Sequence, residues 1–167
     1  VLTPKSLLRL KLSVSPINTL TDGGFEILID EIDEIEPAKV ERVVVCSGKV
    51  YFDLYERRAA EGLENVALVR IEQLYPFPID EYGELLNRYR NAETVVWCQE
   101  EPRNQGAWYQ IRHRLQEPLR SRHTLHYSGR PGAAAPAAGI PQLHQVQQRK
   151  LVGQALGLEP LIEEIDR

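Results

Sequence analysis

The sequence is short of the residues that mark several functional classes. It holds two cysteines in 167 residues, Cys46 and Cys98, each at the end of an apolar run. Two are too few for a disulfide scaffold, so both are expected to be reduced and buried, as in a cytosolic protein. No Cys or His pair stands at the spacing of a zinc site. No apolar stretch is long enough to span a bilayer, and the first residues carry no secretory cleavage pattern, so no membrane partner is expected. Positive charge is also scarce: 20 Lys and Arg against 24 Asp and Glu leave a net charge of −4, which argues against nucleic acid as a partner. Methionine is absent, the initiator included. Val1-Leu2 reads as the tail of a strand whose start is missing, and the chain is expected to be a piece of a longer polypeptide.

What is present is ordinary globular material, 43% apolar and 26% charged, in a length that suits one domain with a real core. β-Branched runs predict buried strands at 40–46, 66–71 and 94–98, with a shorter one at 124–127 and a possible short strand at 25–29. Between them lie helical patterns at 49–60, 80–89, 106–115 and 142–156. The last is expected to turn Leu143, Val146, Leu151 and Leu156 to one apolar face and to end at Gly157. Strands alternating with helices imply right-handed crossovers. The fold class is therefore α/β, a mostly parallel sheet with helices on both faces. One domain is expected over 1–157, followed by an acidic tail at 158–167. Residues 3–9 read as a loop leading into a short helical turn, and 13–24 as irregular. Residues 22–41 carry eight acids against one Lys, the pattern of a solvated surface loop. Residues 131–141, rich in Ala, Pro and Gly, read as an extended loop.

The polar strings Ser47-Gly48-Lys49, Glu72-Gln73 and Gln99-Glu100-Glu101 all follow expected strands. In a parallel sheet those ends share one edge, the usual place for ligands and partners. No catalytic set emerges there. Ser47-Gly48-Lys49 lacks the upstream Gly and spacer of a phosphate-binding loop. Glu100 and Glu101 are adjacent, so on an extended backbone they point to opposite sides, which argues against an acid/base pair. His113, His123, His126 and His144 are scattered, with no Ser or Cys placed beside them by local pattern. Residues 103–130 hold six Arg and three His against one acid, Glu117. That stretch suits either a solvated face or an anionic partner. Lys5, Arg9 and Lys11 form a smaller basic group with the same two readings.

Several strings together resemble one family. They are Thr3-Pro4-Lys5-Ser6-Leu7-Leu8-Arg9, Cys46-Ser47-Gly48-Lys49-Val50-Tyr51, and Val69-Arg70-Ile71-Glu72-Gln73-Leu74-Tyr75-Pro76-Phe77-Pro78. To these add Trp97-Cys98-Gln99-Glu100-Glu101-Pro102-Arg103-Asn104-Gln105-Gly106-Ala107-Trp108 and the run from Ser128-Gly129-Arg130-Pro131 to Gly139. The chain is similar over about 2–157 to the carboxy-terminal, transketolase-like domain of the thiamine-diphosphate-dependent component of 2-oxoglutarate dehydrogenase. Residues 11–37 and the tail from Leu158 match none of its motifs.

The resemblance implies a homodimeric oxidoreductase of the tricarboxylic acid cycle. It would decarboxylate 2-oxoglutarate and pass the succinyl group to the lipoyl arm of a succinyltransferase component. Thiamine diphosphate and magnesium would bind in preceding domains, outside this chain, so no catalytic, cofactor-binding or metal-binding residue is carried onto it. Its partners would be the remaining domains of the same enzyme, the homodimer partner and the lipoyl succinyltransferase. The location would be bacterial cytoplasm or, as the alternative, the mitochondrial matrix. Glu100, Glu101, Arg103 and Asn104 are the candidates for interdomain or dimer contacts. Lys5, Arg9 and Lys49 are candidates for the phosphates of an effector, a nucleotide or acetyl-CoA. The competing readings are the same domain from a 2-oxoadipate or other oxo-acid dehydrogenase, and a free-standing flavodoxin-like binding module.

Overall fold

The computed structural model describes residues 4–161. The strand tail expected at Val1-Leu2, and the acidic tail beyond residue 161, lie outside the described residues. The elements in chain order are α1 (Ile17–Thr21), β1 (Leu28–Ile29), β2 (Arg42–Cys46), α2 (Val50–Glu61), β3 (Val66–Ile71), α3 (Ile79–Arg88), β4 (Thr94–Pro102), α4 (Trp108–Gln116), β5 (Thr124–Arg130) and α5 (Pro141–Leu156). They form a five-stranded sheet in the order β1-β3-β2-β4-β5. The pairings β3–β2, β2–β4 and β4–β5 are parallel, and β1 runs antiparallel on the β3 edge.

The β-branched runs explain the two-sided core. Side chains alternate across a strand, so Val43 and Val45 face one side of β2 while Val44 and Cys46 face the other. The first side packs Val43, Val45, Val69, Val95 and Trp97 against Tyr82 and Leu86 of α3 and Trp108, Ile111 and Leu115 of α4. The second packs Val44, Leu68, Val96, Cys46 and Cys98 against Leu54 of α2 and Leu151 and Ala155 of α5. Cys46 and Cys98 are opposed in register on neighbouring strands. Both are free and buried. Burial pushes the Cys46 thiol up to about 12 and the Cys98 thiol well above its usual value. At neutral pH such thiols hold their protons and are poor nucleophiles. Gly157 ends α5 in the left-handed region, φ +82°.

Four expectations change. β4 does not stop at Cys98: after an irregularity its pairing with β5 resumes at Pro102–Arg130, so the polar residues lie on a strand extension. A polar run ends a strand only when its backbone loses its partner, and here β5 continues too. The stretch 13–24 is not wholly irregular, since it holds the short helix α1. In α5, Leu151 and Leu156 are buried as expected, whereas Leu143 and Val146 are exposed.

The acid-rich stretch is the fourth, because it is a tether as much as a solvated loop. β1 is only two residues long, so beyond it the edge of β3 would lack partners. Glu31 supplies one: its carboxylate, 1% exposed, accepts the Leu68 amide at 2.8 Å. Arg58 donates to Glu31, to Asp33 at 2.6 Å and to the Val66 carbonyl at 3.0 Å. Asp30 accepts from the Tyr89 hydroxyl at 2.8 Å and from Arg88 at 2.7 Å. Glu31 and Arg58 thus do for the Leu68 amide and Val66 carbonyl of β3 what another strand would do.

Candidate functional site

β2, β3 and β4 run parallel, so Ser47-Gly48-Lys49, Glu72-Gln73 and Gln99-Glu100-Glu101 do share one edge of the sheet. On the α3/α4 side a cleft of about 1020 Å³ opens there. Its walls include Ser47, Tyr75, Phe77, Trp97, Glu101 and His113.

The string from Gln99 to Trp108 builds the floor of this edge. Gln99 is 2% exposed. Its Oε1 accepts the Trp97 indole N–H at 2.9 Å and the Trp108 amide at 3.1 Å. Its Nε2 donates to the carbonyls of Glu101 and Pro102, each at 3.3 Å. One buried amide thus joins the end of β4 to the start of α4, with donors and acceptors both used. Gly106 is required by that approach: a Cβ there would overlap the Gln99 amide. Asn104 exchanges hydrogen bonds with the backbone of Ala133, at 3.0 Å to its carbonyl and 2.9 Å from its amide. Gln105 adds a third at 2.6 Å. The Ala- and Pro-rich loop is therefore pinned to the edge. The Arg103 guanidinium lies 5.5 Å from the Tyr127 ring and 5.9 Å from the Tyr109 ring, within cation–π range.

Glu100 and Glu101 part to opposite sides of the strand. Glu101 is exposed and lines the cleft. Glu100 turns toward α2 and α5, where Lys49 donates to it at 2.6 Å. Gln148 donates to Glu100 at 3.2 Å and to Asp53 at 2.6 Å, and Asp53 stands 3.9 Å from Lys49. Arg130, 7% exposed, donates to Gln148 at 3.1 Å and contacts His144 Nδ1 at 2.8 Å. A guanidinium cannot accept, so Nδ1 is the acceptor in that contact. The result is a charge-balanced network of Lys49, Arg130, Glu100 and Asp53 around two neutral groups. Lys49 and Glu100, expected in separate roles, are brought together as a pair. Lys5 and Arg9 are exposed. Among the described residues, no hydrogen bond or ion pair joins either of them to Lys49.

Sequence reasoning missed Asp53, Arg130, His144 and Gln148 as one network. Half of its signal was available: Lys49 with Asp53, and His144 with Gln148, are i,i+4 pairs on helical faces. The other half, linking the two helices through Glu100 and Arg130, is set by the sheet order.

The family is settled by comparison. The model of the 2-oxoglutarate dehydrogenase C-terminal family matches residues 14–156. The chain belongs to that family. Among similar proteins is the 2-oxoglutarate dehydrogenase E1 component of Coxiella burnetii, 54% identical over 158 residues, which covers 93% of this chain and 17% of that protein. The E1 component of Azotobacter vinelandii is 51% identical, over 92% of this chain and 17% of its own length. That of Rickettsia prowazekii is 40% identical over 99% of this chain and 18% of its own. The chain thus spans about a sixth of the length of these relatives. The α/β sheet with helices on both faces agrees with a carboxy-terminal domain of this family. Among the described residues, no group of three Asp, Glu, His or Cys is placed to hold a metal ion. The loop after β2 also lacks the pattern of a phosphate cradle. No helix among them is long and apolar enough to cross a membrane.

Proposed function

We propose that this chain is the carboxy-terminal domain of an enzyme that decarboxylates 2-oxoglutarate on thiamine diphosphate and magnesium and passes the succinyl group to a lipoyl-bearing succinyltransferase. The cofactor would sit in the polypeptide outside these residues. The supporting observation is the match over residues 14–156 together with half-identical E1 components aligned over nine-tenths of the chain. The domain's own work is architectural. It braces the homodimer and the neighbouring domains through the carboxyl edge of its sheet, with Glu100, Glu101, Arg103 and Asn104 as contacts. Glu101, exposed on the cleft wall, is the member of that set best placed to reach another surface. The setting is the tricarboxylic acid cycle in a bacterial cytoplasm, in keeping with the bacterial relatives. The test is turnover by the intact polypeptide with an artificial electron acceptor. Cofactor-dependent oxidation of 2-oxoglutarate in preference to 2-oxoadipate is expected. Preference for 2-oxoadipate, or no oxidation of either, would overturn the assignment.

A second reading concerns regulation. Lys49, Arg130 and His144 cluster at one end of the sheet, and Arg130 Nε is buried without a hydrogen-bond partner. The phosphates of a nucleotide or acetyl-CoA would compete there with Glu100 for Lys49, with Lys5 and Arg9 as further cations. Calorimetry of the intact enzyme at millimolar ligand should show binding that Lys49→Ala weakens, and absence of heat for both ligands would remove this reading.

A further inference from the structure

The segment from Pro4 to Glu26 is built unlike the rest of the domain. It has its own backbone order: one-turn helices at Leu7–Arg9 and Lys11–Ser13, then α1. The Leu7 amide donates to the Pro4 carbonyl at 3.1 Å, and the Ser13 hydroxyl lies 2.8 Å from the carbonyls of both Leu7 and Leu10. The Asp22 amide donates to the Asn18 carbonyl at 2.9 Å. Among the described residues, none of its hydrogen bonds reaches outside the segment, and none of its side chains joins either core cluster. Yet it carries Leu8, Leu12, Val14, Ile17, Leu20 and Phe25, each between 44% and 75% exposed.

Single exposed apolar side chains are normal, but six within the eighteen residues 8–25 mark a segment meant to be covered. Side chains this exposed leave much of their burial free energy unrealised within the domain. Preformed turns also lower the entropy lost on docking.

We infer that residues 4–26 are an apolar strap that docks, through Leu8, Leu12, Val14, Ile17, Leu20 and Phe25, onto the portion of its own polypeptide lying outside this sequence. The inference rests on the proposed function for one thing, the existence of that portion. The matched relatives carry about five-sixths of their length beyond the aligned region, and the matched family model is the C-terminal one. A covalently linked surface is favoured over a second copy because its effective concentration is set by the linkage and not by dilution.

The test places a photoactivatable residue at Leu20, and at Asn18 as a control, in the intact polypeptide. Cross-links are mapped in a mixture of isotope-labelled and unlabelled copies. The expected result is cross-linking from position 20 to residues of the same copy outside this sequence, well above that from position 18. Cross-links confined to a second copy, or to residues 27–161, or none at either position, would overturn the strap. A paired variant, Ile17→Ser with Leu20→Ser, should lower the apparent melting temperature of the intact enzyme by several degrees; an unchanged midpoint would also overturn it. Turnover of 2-oxoglutarate is recorded on the same unmodified preparation. Its absence would refute the functional assignment while leaving the cross-links to decide the strap.

Discussion

Two adjacent stretches of this chain invert the usual rule of burial. Residues 4–26 turn large apolar side chains to solvent and keep their hydrogen bonds among themselves. Residues 27–33, immediately after, turn acids inward: Glu31 is almost fully buried against Arg58, and Asp30 ties to Tyr89 and Arg88. The second inversion is resolved inside the domain, because Glu31 and Arg58 satisfy each other and also the Leu68 amide and Val66 carbonyl of β3. The first is resolved by nothing within the described residues. One stretch therefore holds the domain together, and the other, on the inference above, would dock outside it.

The comparison breaks most easily at Glu31. Glu31→Ala leaves the Arg58 guanidinium buried without its main counter-charge and the Leu68 amide without an acceptor. Breaking one side of a buried pair costs about 3–5 kcal/mol. Urea unfolding followed by the fluorescence of the buried Trp97 and Trp108 should show a loss of that size. A loss within about 0.5 kcal/mol, the range of ordinary surface changes, would show that the tether is ornamental. A smaller effect is expected for Asp30→Ala. Arg88 is more than half exposed, so its ion pair contributes little, and what remains is the Tyr89 hydrogen bond, worth about 1 kcal/mol. The smallest effect is expected for Leu20→Ser in this chain alone. Leu20 is 75% exposed here, so the loss of stability should stay within the surface range of about 0.5 kcal/mol. A clear loss would mean that the strap already packs on its own domain.

The sheet was legible because it obeys a local rule. Val43-Val44-Val45-Cys46 and Val95-Val96-Trp97-Cys98 are continuous apolar runs, the pattern of strands covered on both faces, and helices fall between them at the expected places. The tether was not legible because its partners are distant in sequence. Glu31 meets Arg58 and Leu68, 27 and 37 residues away, and a run of acids carries no sign of that. The length of β4 escaped for a similar reason, since its last residues are held by the carboxyl end of β5. At the edge, the string from Gln99 to Trp108 helped carry the family resemblance, while the structure shows what the string does. Gln99 locks two elements, Gly106 makes room for it, and Asn104 pins a loop. The strap was only partly read: a short helical turn was expected after a loop at 3–9, whereas the turn lies within that stretch, at Leu7–Arg9, and the outward apolar side chains show only once the core is known to exclude them.

The most direct measurement is hydrogen exchange in the intact polypeptide, comparing the amides of Leu10, Ser13, Val14 and Asp22 with those of β2 and β4. These strap amides donate only to their own segment, so by themselves they would exchange at the rate of frayed turns. The account predicts that in the intact enzyme they exchange nearly as slowly as the strands, because the strap is covered. Exchange as fast as at the exposed residues 134–137 of the Ala- and Pro-rich loop would contradict it.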